Sequence, residues 1–363
     1  MDRIEPTARV PRRIELSGSP REIGLEHGRQ LSQEIRSEIQ LYGRIFQATT
    51  RMSWPSVQGI AREFSTTIAR LVPDIYAEIE GIAEGAGVDV LDVVAINARS
   101  DIAHGLFSDG CSSLGWDRKQ HGVLLAQNWD WTTEMQKNVV LMTITQPDKP
   151  SIWMVPEAGM VGKIGFNSAS VGTCLNSIRA KPVDTSKLPV HVALRVCLNS
   201  RSKAEAVQRI TDLGSIASAQ HILLADPSGP VSLELTPLSD THIPPDSQGI
   251  VCHTNHLVGN GDCREQPWAD SPFRLARMQE LIQQLARSDT PVDGAHLRET
   301  VFSDTLNAPY GICRQDDPGM PPERQSSTLF CIVMRLGVST PSAEVVWGQP
   351  IKGANARIMH MPW

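Results

Sequence analysis

A change of hydrophobic period near residue 110 restricts the fold of this chain more than any other feature of it. Upstream, from about residue 20 to 105, apolar residues recur every three or four positions, the spacing of one buried helical stripe. Leu31, Ile35, Ile39, Tyr42 and Phe46 form one such stripe; Val57, Ile60, Phe64, Ile68 and Leu71 form a second, entered at Trp54-Pro55. A third starts after Pro73, carries Ile75, Ile79 and Ile82, and stops at Gly85 and Gly87. Past Cys111 the pattern turns to short β-type runs: 123–125, 139–145, 152–155, 171–175, 221–225, 231–235, 250–253, 328–334 and 345–347. Helical patterns interrupt them near 191–199, 204–213 and 272–286, the last with Met278, Leu281, Ile282 and Leu285 on one side. A helical leader over 1–110 and a sheet-rich body over 111–363 therefore predict a layered α/β protein with a largely antiparallel sheet.

The junction between the two halves reads Phe107-Ser108-Asp109-Gly110-Cys111-Ser112-Ser113. A cysteine that opens a sheet-rich body can be a nucleophile that becomes a new N-terminus, its freed α-amine serving as its base. The same residue can equally be an inert thiol buried in a turn. Composition narrows the field. A net charge of -6 and no basic stripe argue against nucleic acid as a partner. No run of about 18 apolar residues would span a membrane. The start, Met1-Asp2-Arg3-Ile4-Glu5-Pro6, has no apolar core of a secretory signal. Seven cysteines, an odd number without a CxxC pair, fit reduced thiols in a cytoplasm and lack zinc-ligand spacing.

Several polar groups stand at the ends of the apolar runs. Gln127-Asn128-Trp129-Asp130 closes the run that starts at Val123, and the Asp130 carboxylate there can hold an amine, orient an arginine, or cap the turn at Thr132 and Thr133. Asn255, within His253-Thr254-Asn255-His256, can donate to an oxyanion or serve as a turn residue. The two histidines of that block have no third ligand at metal-site spacing, so no metal is expected. Arg314, after Ile312-Cys313, can pair with Asp130, bind a substrate carboxylate, or lie solvated. Gly159, Gly162 and Gly165 mimic a phosphate loop, but the Walker spacing is missing; they read as turns and close backbone approaches. Trp116, Trp129, Trp131 and Trp153 can line an apolar pocket or fill the core.

In this order, Asp-Gly-Cys, Gln-Asn-Trp-Asp, Glu157-Ala158-Gly159 with Gly162-Lys163-Ile164-Gly165-Phe166-Asn167-Ser168-Ala169, His-Thr-Asn-His and Ile-Cys-Arg resemble the acyl-coenzyme A:6-aminopenicillanic acid acyltransferase (isopenicillin N acyltransferase) family, from about Glu22 to Leu336. The resemblance implies an Ntn-hydrolase αββα sandwich of largely antiparallel sheets, behind a helical N-terminal leader segment. It implies self-cleavage of Gly110–Cys111, a leader that stays associated as a small subunit, and Cys111 as nucleophile. Asp130 matches the family's active-site aspartate, Asn255 its oxyanion asparagine and Arg314 its arginine, with Asn128 in support. Thr236, in Glu234-Leu235-Thr236-Pro237, stands where fungal members carry a serine, and the C-terminal Met361-Pro362-Trp363 departs from their peroxisomal signal. The activity expected is hydrolysis of a small N-acyl amide without cofactor, with coenzyme A-dependent acyl transfer as the near alternative and a non-catalytic binding protein as the distant one. No compact basic cluster suggests a polyphosphate site; Lys163 and Arg179 are isolated.

Overall fold

The computed structural model of the protein describes residues 10–103, 110–287, 292–321, 325–351 and 357–363. The start of the chain, the approach to the junction at 104–109 and Pro322 lie outside them. The leader comprises strand β1 (Arg12–Ser17) and helices α1 (Pro20–Gln30), α2 (Ser32–Thr50), α3 (Trp54–Leu71), α4 (Pro73–Ala86), α5 (Val90–Asn97) and α6 (Arg99–Ile102). The body opens with β2 (Gly110–Asp117), β3 (Val123–Trp131), β4 (Val140–Thr145), β5 (Ile152–Met154), β6 (Gly165–Asn167), β7 (Gly172–Ser177) and β8 (Ala180–Lys181). Helices α7 (Val190–Leu198) and α8 (Lys203–Asp212) follow, then β9 (Gln220–Asp226), β10 (Gly229–Leu235), β11 (Asp240–Ile243), β12 (Ile250–His253) and β13 (Arg264–Glu265). The chain finishes with α9 (Ser271–Ala286), α10 (Gly294–Leu297), β14 (Ser327–Leu336), β15 (Ser342–Trp347) and β16 (Arg357–Met361).

Two sheets pack face to face. One runs β1-β4-β5-β6-β7-β9-β10-β11 and the other β12-β2-β3-β14-β15-β16, with β8 and β13 as a separate ribbon. Helices α7 and α8 cover the outside of the first sheet and α9 and α10 the outside of the second, so the body is an αββα sandwich of antiparallel strands. The periodicity reading holds for α2, α3 and α4 of the leader and for β3, β4, β5, β7, β9, β10, β12, β14 and β15 of the body, but it passed over α1, α5, β2 and β16. It missed β1, because Arg12-Arg13-Ile14-Glu15-Leu16 buries only Ile14 and Leu16 and is too short to show a period. That strand joins the sheet edge parallel to β4, so the leader contributes to the body's sheet as well as covering it.

Strand alternation sorts the core into two parts. Val123, Leu125, Trp129 and Trp131 of β3 face inward, where the leader's Ile35, Tyr42 and Phe46 join them. Leu124 and Ala126 face outward against Met278, Leu281 and Ile282 of α9. The glycine series 159–165 serves close approach: a Cβ on Gly162 would meet the His191 carbonyl oxygen at 2.3 Å, so α7 lies directly on this backbone. No disulfide joins the cysteines among the described residues. Among the described residues no helix is long and apolar enough to cross a membrane.

Candidate active site

The alternation that builds the core also divides the surroundings of Cys111. Gly110 pairs with Asp130 and Cys111 with Trp129 across the β2–β3 ladder. Cys111 therefore shares the inward face with Trp129, whereas Gly110, Ser112, Asn128 and Asp130 share the outward one. Cys111 is 2% exposed. Its backbone N–H donates to Asn255 Oδ1 at 2.8 Å, and Asn255 Nδ2 donates to the Ser177 carbonyl at 3.0 Å. An amide nitrogen carries two hydrogens, so one remains for a second acceptor.

Asp130 and Arg314 flank the peptide on the other side. A Cβ on Gly110 would stand 2.8 Å from Asp130 Oδ2 and 3.0 Å from Arg314 Nη1, so any other residue would have to displace these two side-chain ends. Asp130 Oδ1 accepts from Thr328 Oγ1 at 2.6 Å, and that hydroxyl accepts from the Arg314 N–H at 2.9 Å. The direct ion pair of Arg314 is with Asp270, at 3.1 Å, rather than with Asp130. Burial pushes the Asp130 carboxyl up to about 7, against the pull of the Arg314 and Arg274 guanidiniums. Burial would raise Asp270 too, but Arg274 and Arg314 hold it below its ordinary value.

Cys111, Gly110, Asp130, Asn255 and Arg314 thus converge at the start of β2. Asn128 stands one step behind: its Nδ2 donates to the Phe302 and Ile312 carbonyls, bracing the segment that leads to Arg314. Thr236 is used in its own turn, accepting from Leu238 and Ser239 N–H and donating to the Ser239 carbonyl. His253 bonds Glu234 at 2.8 Å and stacks on His221, and His256 bonds Ser271, so both histidines have other partners. Among the described residues no three His, Cys, Asp or Glu side chains converge as a metal site.

Two groups escaped the sequence reading. Arg274 donates to the Cys111 carbonyl at 2.8 Å and to Asn255 Oδ1 at 2.9 Å. On the inward face, Glu157 binds Arg99 at 2.6 Å and Lys163 at 2.9 Å, with Lys163 Nζ 4.2 Å above the Trp129 ring and Arg99 4.5 Å above Trp131. Burial brings Lys163 down to about 8 despite Glu157.

A profile of known relatives decides the lineage: residues 116–352 match acyl-coenzyme A:6-aminopenicillanic acid acyl-transferase. The chain belongs to that family. The matched stretch includes Asp130, Asn255 and Arg314 and begins just beyond Cys111. A relative from Emericella nidulans, the acyl-coenzyme A:6-aminopenicillanic-acid-acyltransferase 40 kDa form, is 33% identical over 326 residues, covering 88% of each chain. Among solved structures, penicillin V acylase from Agrobacterium tumefaciens overlaps 69% of this chain and 85% of its own, at 14% identity and a TM-score of 0.41. At that distance the overlap carries no argument; membership rests on the sequence match.

Proposed function

We propose that the protein is a self-processing cysteine hydrolase of N-acyl amides, made as one chain and matured into residues 1–110 and 111–363. The observation that carries this is the setting of one peptide bond: the Cys111 N–H on Asn255 Oδ1, with Gly110 wedged between Asp130 and Arg314. In maturation the Cys111 thiol loses its proton, the thiolate attacks the Gly110 carbonyl, and the C–N bond breaks as the departing nitrogen gains a proton. Water then opens the thioester, leaving Gly110 as a carboxylate and Cys111 with a free α-amine. An α-amine titrates near about 8, close enough to neutrality to act as the base for the next thiol ionisation. The thiolate attacks the substrate amide, and the second Asn255 N–H is available to the oxyanion. Asp130 and Arg314, already beside Gly110, orient the amine. Water releases the acyl group.

Family membership supports acyl chemistry, and the name of the Emericella relative favours a second reading, transfer from a coenzyme A thioester to an amine. Both readings share the Cys111 acyl-enzyme. We rank hydrolysis first because the described residues near Cys111 offer no cluster of exposed cations for a polyphosphate; Lys163 is fully buried and engaged by Glu157. Reduced thiols and the substrate chemistry fit a cytoplasmic enzyme. Intact mass and N-terminal sequencing test maturation: the large fragment is expected to begin Cys-Ser-Ser-Leu, and Cys111→Ala to stay full length. A cut in Cys111→Ala refutes self-cleavage by this thiol. Offering matured protein N-acyl amides in water, and separately an acyl-coenzyme A with 6-aminopenicillanic acid, ranks the reactions; faster amine-dependent acylation across several acyl lengths reverses the order.

A further inference from the structure

We infer that Arg274 acts as a positioning residue that keeps the Cys111 nitrogen unprotonated once it is a free α-amine. This rests on the maturation proposed above. Strand β12 pairs with β2 only as far as His253 opposite Ser113. Beyond that point Asn255 leaves the ladder, its own N–H going to Ser271 Oγ at 2.7 Å. The Arg274 guanidinium from α9 fills the gap. Nη1 bonds the Cys111 carbonyl at 2.8 Å and Ser112 Oγ at 3.1 Å, Nη2 bonds Asn255 Oδ1 at 2.9 Å, and Nε bonds Asp270 at 2.8 Å.

Two consequences follow from chemistry alone. A guanidinium only donates, so the Asn255 amide must present its oxygen to Arg274 and turn its NH2 group away. The Cys111 nitrogen bonds that same oxygen, so a permanent cation and the future amine share one acceptor. A cation within about 4–6 Å disfavours a second positive charge. An amine protonated at working pH cannot take the thiol's proton, so this placement favours the form that catalysis needs.

Other charged and titratable groups near Cys111 and Arg274, among the described residues, include Asp130 of β3, Arg314 before β14, Asp270 beside Arg274, Lys163 after β5, Cys174 of β7 and His256, which burial and then His253 and Arg274 hold below its ordinary value. Arg314 is paired with Asp270, Lys163 with Glu157, and burial raises Cys174 so that its thiol stays neutral. Arg274 is the cation that shares an acceptor with Cys111, and Asp270 is the carboxylate that moderates it.

The test is the pH dependence of Cys111 acylation by p-nitrophenyl acetate in matured protein, read as the phenol burst. Its acid limb belongs to the coupled thiol–amine pair, and losing a nearby cation moves it upward whichever group is assigned. Arg274→Gln is expected to raise the limb by about one pH unit, making acylation about tenfold slower below it. Arg274→Lys is expected to restore most of the position. Asp270→Asn is expected to move the limb the opposite way, because it removes the moderating charge. A structural role alone predicts lower amplitude or rate with the limb unmoved in all three, and that result overturns the inference. If Arg274→Gln does not mature, Asp270→Asn is compared in the wild-type and Arg274→Lys backgrounds and with Arg314→Lys, because Asp270 pairs with both arginines; a shift that changes with Arg314 and not with Arg274 overturns the inference. Wild-type protein that stays uncut refutes the maturation reading and this inference together; cut protein with an unmoved limb refutes only the role of Arg274.

Discussion

Replacing Glu157 by glutamine should cost the fold about 4 kcal/mol, and the way it does so should depend on Glu38. The Glu157 carboxylate is fully buried and takes Arg99 at 2.6 Å, Lys163 at 2.9 Å and the Tyr42 hydroxyl at 3.2 Å. Arg99 and Tyr42 belong to the leader, Glu157 and Lys163 to the body, so one carboxylate ties the two segments together. Breaking a buried pair by deleting one partner typically costs about 3–5 kcal/mol, because the survivor is left uncompensated. Here two cations survive. The Trp129 and Trp131 faces beneath them, stacked at 5.9 Å, offset part of the loss. So does Glu38, a buried carboxyl that desolvation, and then Glu157, hold well above its ordinary value. With Glu157 neutral, Glu38 can ionise and take over the charge. Urea unfolding in the uncut Cys111→Ala background, where both segments are one chain, measures this. Glu157→Gln is expected to lose about 4 kcal/mol. Adding Glu38→Gln is expected to cost more than the sum of the two single substitutions. A loss below about 1 kcal/mol, or strict additivity, refutes the picture of a shared buried charge.

Acid should unfold the protein early. Burial, with Arg195 nearby, pulls His27 down to about 3, and burial holds His191 and His221 well below their ordinary value. The unfolded chain takes up these protons near about pH 6.5, so stability falls as pH drops below that value. For His27 alone, going from about pH 6.5 to 5 should cost about 2 kcal/mol, checked by urea unfolding at both values; a flat response contradicts neutral burial. Asn255→Ala should leave a folded protein with turnover lowered on the order of 100-fold, and full turnover on a confirmed substrate would make Asn255 a turn residue only. Gly110→Val should accumulate uncut chain on a denaturing gel, since the new Cβ would meet Asp130 and Arg314; normal processing refutes the tight fit. Asp130→Asn should slow maturation and turnover together, measured by gel and by rate, and slowing of only one separates the two roles.

The sequence made the layered architecture legible because leader stripes and body strands bury long apolar runs, which periodicity detects. It was silent where structure depends on short segments, on a buried strand without an apolar run such as β2, Gly110-Cys111-Ser112-Ser113-Leu114-Gly115-Trp116-Asp117, or on pairs distant in sequence. Strand β1 buries two residues, and β6, β8 and β13 are three residues or fewer. The order of the motif blocks pointed to Cys111, Asp130, Asn255 and Arg314, and the fold brings them together, yet nothing local revealed that Arg314 would pair with Asp270 rather than Asp130. Two missed residues did leave a signal. Arg274 precedes Met278 by four positions on the stripe that continues through Leu281 and Ile282, and Glu38 lies three after Ile35 and four before Tyr42. A charged residue on a buried helical stripe is costly unless something across the interface satisfies it. For Arg274 that partner is the Cys111 backbone; Glu38 instead escapes the cost by staying protonated, held up by burial and then by Glu157 against the pull of Arg99 and Lys163. The break that Arg274 makes in its helical stripe therefore points to the surroundings of Cys111, and the one that Glu38 makes points to the buried charges shared by leader and body.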